Sequence, residues 1–332
     1  MSDFVGKREL GRAERVLPGL WRLRLPLPWS KVPHCNAWAI EADGGVVLVD
    51  CGLHQDGSIE QLERAMAQAG LAVADVCDLV ITHAHVDHWG QAATVVKRSG
   101  ARLWMHPLSD HGRVVLENPD DAFNRYVEIA LQSGIPERVI EQFADRIRNH
   151  PPGVAGNIEP DRLLRDGVSI DTALGTWRVY ETPGHAPSHI CLHQPEQRLL
   201  ISGDHLLGRI SLYFDFGWTP DPVREFLASL DTVGALGARL CMAGHGRTFT
   251  DVDAHIEGSR SLVHERLAAT RAALRDRPRT ALSAVPSVFG EQLTPLTAGW
   301  RLSETLCYLT HLELLGEVVR ERSGSVDRWR LA

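Results

Sequence analysis

Short apolar runs, each closed by Gly, Pro or polar positions, fill the first hundred residues. GLWRLRLPLP, HCNAWAIEA and GGVVLVDCG have the length and alternation of strands. Residues 58–69, SIEQLERAMAQA, switch to helical spacing, with Ser58 as N-cap and Gly70 as stop. VCDLVIT then reads as a buried strand and ARLWMHP as another. Residues 108–160 break this rhythm. DDAFNRYVEIALQSG and PERVIEQFADRIRNH have helical periodicity, with Val139, Ile140, Phe143 and Ile147 on one face. The pattern predicts a helical insertion on a β-rich scaffold. Strands return at DGVSIDTALGTWRVYETPG, HICLHQPEQRLLISGD and ARLCMAGHG. From about residue 254 the spacing is helical again, with Leu302, Leu306, Leu309, Leu312 and Leu315 in register, and GEVVRERSGSVDRWRLA reads as a closing hairpin.

At 332 residues the chain exceeds what one core usually organises, so a main domain (1–253) and a smaller C-terminal one (254–332) are expected. A hydrophobic share of 44% and a charged share of 23% fit a globular protein. The net charge of −7 disfavours nucleic acid or an anionic membrane as partner. The start carries no signal-peptide core and no 18-residue apolar run follows, so the expected location is the cytoplasm. Six scattered cysteines without a C-x-x-C pair read as buried free thiols.

The chemistry concentrates in THAHVDHWG, residues 82–90, directly after an apolar strand. Alternate side chains of an extended segment point the same way, so His83 and His85 can grip one ion. Asp87 and His88, at the turn into a helix, can face a second. Three further groups end strands in small-residue turns: His185 in ETPGHAPSH, Asp204 in LLISGDHLL and His245 in LCMAGHG. A carboxylate ending an apolar strand is costly unless something charged meets it. Together these residues complete two three-ligand sets and a bridge.

The order His-x-His-x-Asp-His, then His, Asp and His, resembles the metallo-β-lactamase superfamily over roughly residues 15–250. The resemblance implies an α/β fold, a four-layer αββα sandwich with metals at one edge. It implies that His83, His85 and His185 hold the first metal, that Asp87, His88 and His245 hold the second, and that Asp204 bridges. It implies two divalent ions, zinc first, with iron or manganese as alternatives. Asp50 of LVDCG is then expected to orient a ligand histidine, with His189 in a similar role. Trp89-Gly90-Gln91 departs from the two glycines that many members have at this point, which makes Trp89 a candidate for the pocket wall.

Asp87 is the expected catalytic group, holding the nucleophile in line or passing a proton to the leaving group. Phe123, Tyr126 and Phe143 of the insertion, with Tyr213 and Phe214 of LYFDFGW, are candidates for an apolar substrate channel. The metal motifs resemble those of the hydroxyacylglutathione hydrolase (glyoxalase II) type, but no basic cluster for glutathione is visible in the sequence. The expected reaction is hydrolysis of a small-molecule acyl thioester such as an acyl-coenzyme A. A lactone or other carboxylic ester is the alternative, and RNA or another phosphodiester the second. The C-terminal helix–helix–hairpin pattern resembles the winged-helix tail of one branch. Glu304 and Glu313 on its last helix favour packing or homodimerisation over nucleic-acid binding.

Overall fold

The computed structural model describes residues 10–149, 151–291 and 297–332. His150 and the side chains of Arg146 and Ile147, all within the expected insertion, lie outside the described residues.

The first sheet takes its strands in chain order: β1 (Arg12–Leu17), β2 (Leu20–Trp29), β3 (Val32–Ala42), β4 (Gly45–Val49), β5 (Val76–Val80), β6 (Arg102–Met105) and β7 (Arg162–Leu163). It is antiparallel through β4 and parallel from there on. GVVLV and the end of VCDLV are buried on both faces, as strands covered from two sides must be. β1 has no apolar alternation, and only its pairing with β2 reveals it as an edge strand. The second sheet runs β12 (Leu240–Ala243), β11 (Leu199–Gly203), β10 (Ile190–Gln194), β9 (Gly175–Glu181) and β8 (Ser169–Thr172), with β11 and β12 parallel.

Three apolar clusters separate the layers. Leu62 and Met66 of α1 (Ser58–Gln68) and Val95 of α3 (Ala92–Ser99) pack on Leu23, Leu48 and Leu79 of the first sheet. Trp38, Ile40 and Val49 meet Trp177, Leu192 and Ile201 between the sheets. Phe226 and Leu230 of α7 (Pro222–Ala235), with Val263 and Leu267 of α8 (Val252–Ala273), cover Cys191, Leu200 and Cys241 on the far side. The result is the αββα sandwich. At the start of α1, Gly57 at φ 79° is the N-cap in place of Ser58, whose hydroxyl instead bonds the Gln55 carbonyl at 2.7 Å. Gly70, at φ 75°, follows the helix end as expected.

The insertion forms α4 (Asp110–Glu117), α5 (Pro119–Gln132) and α6 (Glu137–Arg148) between β6 and β7. The tail forms α9 (Ala281–Phe289), α10 (Ala298–Leu314) and the hairpin β13 (Val318–Ser323)–β14 (Val326–Leu331). The expected boundary at 253/254 falls in the first turn of α8, and the apolar cluster continues without a break into Val285, Leu306, Leu309 and Trp329. The middle of α10 is buried, including Glu304, Leu306, Tyr308 and His311, while Trp300 near its start and Leu314 at its end are exposed.

Glu304 is a carboxyl group inside this core. It accepts a 2.7 Å hydrogen bond from Tyr308 Oη, with Arg301 Nη1 at 3.3 Å. Burial outweighs both partners and raises its pKa to about 7. A carboxyl whose folded-state pKa lies above its unfolded value stabilises most when protonated. Its contribution is complete below the ordinary pKa of 4.5 and is lost as pH rises through about 7. Glu304→Gln is therefore expected to flatten the fall in melting temperature between pH 5 and pH 8. It should stabilise the protein at pH 8 by up to about 3 kcal/mol. An unchanged slope in the variant would refute this.

Candidate metal centre

Each chemistry-bearing residue stands just past the C-terminal end of a strand, where a turn frees its side chain. Asp50 follows β4, His83 and His85 follow β5, His185 and His189 lie between β9 and β10, Asp204 follows β11 and His245 follows β12. Because β4 and β5 are parallel, and β11 and β12 are parallel, both sheets deliver these ends to one edge. The single turn α2 (Val86–Trp89) begins directly after His85 and supplies Asp87 and His88.

The donor atoms of His83, His85 and His185 lie within 4.8 Å of one another, and so do those of Asp87, His88 and His245. Asp204 sits between the two sets. Its Oδ2 is 3.1 Å from His245 Nε2 and 3.8 Å from His185 Nε2, and its Oδ1 is 3.5 Å from His88 Nε2. Gly244 is required here, since a Cβ would stand 2.1 Å from Asp204 Oδ1 and 2.8 Å from His88 Cε1.

Every ring is held by its outer nitrogen. His88 Nδ1 donates to Asp50 Oδ2 at 2.8 Å, His245 Nδ1 to the His34 carbonyl at 2.8 Å, and His185 Nδ1 to the Tyr213 carbonyl at 3.1 Å. His85 Nε2 donates to Asp215 Oδ2 at 2.8 Å, and His83 Nδ1 to Thr82 Oγ1 at 3.0 Å. The inward atoms His83 Nε2, His88 Nε2 and Asp204 Oδ1 are buried without a hydrogen-bond partner. Buried polar atoms rarely stay unpaired. Rings anchored from outside, with nitrogens and carboxylates facing inward, are the donor set a divalent ion such as zinc takes. The residues fit bound divalent metal.

Charge is divided across the cluster. Burial and the neighbouring imidazoles hold His83 well below its ordinary pKa, and burial with His85 pushes His185 down to about 4. Both keep neutral rings at pH 7. In the other half burial opposes charge on His245, but Asp204 and Asp87 overcome it and push its pKa up to about 10. His88 is raised in the same way, with Asp204 ahead of Asp87. This acidic half attracts positive charge, and a bound cation would displace the imidazole protons.

Besides His88 Nδ1, Asp50 accepts the Thr82 amide at Oδ1 and the Thr82 hydroxyl at Oδ2, each at 2.8 Å. His189 differs. Instead of orienting a histidine ring, its Nε2 accepts the Asp204 amide at 3.0 Å while Nδ1 meets Thr182 Oγ1 at 2.8 Å, so it fixes the strand end that carries Asp204. Trp89 is no pocket wall: it is fully buried among the apolar residues between the first sheet and its helices. Phe214 is likewise fully buried, against Phe226 and Tyr308. A small helical turn and a long apolar contact drew both rings inward. Tyr213 does stand at the site, its ring 5.7 Å from His85 and 5.6 Å from His185.

Phe123 lies beneath the Arg148 guanidinium, while Tyr126 and Phe143 are exposed on the insertion. The insertion meets the site through other residues. His111 of α4 bonds Ser188 Oγ at 2.8 Å, and its ring lies 5.9 Å from that of Trp218. Arg125 of α5 lies over Trp218. Sequence reading missed His111 and Asp215. The one available signal was an acid amid the aromatics of LYFDFGW.

Residues 31–245, from β3 to the last histidine of the cluster, match the family model described as Metallo-beta-lactamase superfamily. The chain belongs to the metallo-β-lactamase superfamily. Its structure is similar to that of the metallo-beta-lactamase family protein TTHA1429 from Thermus thermophilus, at 30% identity and TM-score 0.83, over 96% of this chain and all (100%) of that one. It is also similar to a beta-lactamase domain protein from Burkholderia ambifaria, at 29% identity and TM-score 0.75, over 96% and 94% of the two chains. Among curated relatives, the probable metallo-hydrolase YqjP of Bacillus subtilis is 26% identical over 88% of this chain and 91% of its own. The atrochrysone carboxyl ACP thioesterase of Pseudocercospora fijiensis is 21% identical over 85% and 71%. This superfamily member is thus a metallo-hydrolase by fold and by its His/Asp cluster. No helix among its described residues is long and apolar enough to cross a membrane.

Proposed function

We propose that this protein hydrolyses an acyl thioester with two divalent ions, zinc by preference. His83, His85 and His185 would hold one ion, Asp87, His88 and His245 the other, with Asp204 between them. The observation that carries the reading is the anchored ring set with its inward, unpaired donors. The thioester is supported by the fungal thioesterase relative and by the chemistry of the site. When bound, such ions polarise a carbonyl oxygen and acidify water towards neutral pH.

The chain's own groups supply the rest. Asp87 Oδ2, 3.4 Å from His245 Nε2, faces the interior and can take up and return a proton beside the reacting carbonyl. Asp215 holds the His85 ring and accepts the Tyr213 hydroxyl at 2.9 Å, which fixes the aromatic wall against the first ligand set. Arg125 of the insertion lies over Trp218, whose ring stands beside that of His111, so the insertion borders this side of the site. A thiolate leaves more readily than an amine or alkoxide, so the reaction needs no dedicated strong acid for the departing group.

The test is thiol release from acyl thioesters of graded chain length, using metal-replete protein with His85→Ala and a chelator-treated sample as controls. A chain-length optimum lost in both controls is expected. Silence across the panel with activity on lactones would replace the thioester by a lactone.

A further inference from the structure

The inner face of the first sheet is apolar where it meets the second sheet, but it carries cations beyond the β12 edge. Leu23, Leu25 and Leu27 of β2 face the helices, so the alternate residues Arg22 and Arg24 face inward. Register places Arg12 of β1 opposite Arg24, and Asn36 of β3 opposite Arg24 on the other side. His34 lies next along β3, and Arg24 Nη2 donates to its Nδ1 at 3.2 Å. Arg247 follows the histidine at the end of β12 and is exposed.

These groups adjoin the metal centre directly. The His34 carbonyl receives His245 Nδ1, and Arg22 Nη1 donates to the Gly246 carbonyl at 2.8 Å. Asn36 Nδ2 also bonds the Ala243 and Gly246 carbonyls, at 2.8 and 3.0 Å. Arg22 is 5% exposed and pairs with Glu14 through Nη2 only. Among the described residues Arg24 makes no ion pair. Burial, then Arg22 and Arg12, hold its guanidinium below the ordinary value.

Three buried nitrogens point to what is wanted here. Arg22 Nε, Arg24 Nε and His34 Nε2 have no hydrogen-bond partner. With His34 Nδ1 accepting from Arg24, its Nε2 carries the proton, so all three are donors. Donors clustered with like charges and left without a hydrogen-bond partner match an anion supplied from outside. Guanidinium groups suit the oxygens of phosphate and carboxylate in particular.

We propose that Arg22, Arg24 and His34 form an oxyanion site that holds a phosphate or carboxylate of the substrate next to the His245 side of the metal centre. The proposal rests on the thioesterase reading for the reaction but not for the site. It supplies a basic cluster whose members face one another because β2 and β3 pair. The bound group would sit on the thiol side or the acyl side of the substrate, and both kinds of probe are needed.

Two ligands without a thioester bond separate the sources: desulfo-coenzyme A carries phosphates, and S-methylglutathione carries carboxylates. Calorimetry on metal-replete protein is expected to show binding of at least one, weakened about tenfold or more by Arg24→Gln. Arg24→Lys, which keeps the charge, should recover part of it. The ligand that responds names the anion. Failure of both to bind, or equal Kd in wild type and Arg24→Gln at unchanged melting temperature, overturns the site. Equal losses in Arg24→Gln and Arg24→Lys with a lowered melting temperature also overturn it, as damage to the fold. If thioesters resist hydrolysis while the Kd shift stands, the oxyanion site survives and the thioester falls. Hydrolysis with unchanged Kd gives the reverse.

Discussion

Asp204→Ala is expected to abolish hydrolysis and to leave the protein short of metal. Among the described residues, no other carboxylate comes within 4 Å of His88, His185 and His245 together. One oxygen is buried and unpaired, so it is committed to whatever fills the centre. Alanine removes the carboxylate that meets histidines of both proposed ligand sets. It also removes the main electrostatic reason that His245 is pushed up to about 10. Loss of a residue that only supports a ligand costs about 10–100-fold in metal affinity or activity. Loss of Asp204 should exceed that range in kcat/KM. Metal content by elemental analysis, read beside turnover, checks the result. Full turnover with a full complement of metal in Asp204→Ala would remove the basis of the metal assignment.

Asp50→Ala should have the second largest effect, and on a different quantity. Asp50 is fully buried behind the ligands and accepts from the Thr82 amide, the Thr82 hydroxyl and His88 Nδ1. Alanine would leave these donors buried and unpaired, with a loss of about 3–5 kcal/mol in unfolding free energy. Metal affinity should fall about 10–100-fold because His88 loses its orientation. Asp50 also stands at φ 61°, a left-handed conformation that Asn tolerates far better than Ala. Asp50→Asn is therefore expected to recover much of the stability but not the metal affinity, since an amide cannot receive the His88 proton as a carboxylate does. Denaturant titration and metal competition measure the two separately. Parallel recovery of both would show that Asp50 acts through the backbone alone.

The candidate centre was legible because its ligands are strand-end residues. A strand of apolar residues that stops in THAHVDH, SGDH or AGHG leaves its polar terminus at a sheet edge in any α/β arrangement. The close spacing from His83 through His88 needs only local geometry to face two ions. Asp50 was readable for the same reason. The residues that hold the rings were less visible. Thr82 and Asp215 are single polar positions, and partners such as the Tyr213 carbonyl and the Asp215 carboxylate reach their rings across 28 and 130 residues of chain. The pocket aromatics were the weakest reading, since an apolar ring has the same sequence signature whether it lines a cavity or packs a core. Trp89 and Phe214 packed the core.

The sequence by itself determined the strands, the helical insertion and the seven candidate donors, because local periodicity and strand-end position decide them, while the sandwich was what the family resemblance implied. Tertiary structure alone decided that the middle of α10 is buried, that β1 caps the first sheet, and that Arg22, Arg24 and His34 meet beside His245. These depend on which surfaces are covered and which strands lie adjacent. Burial and cross-strand register are set by contacts between distant segments, and no local pattern records them.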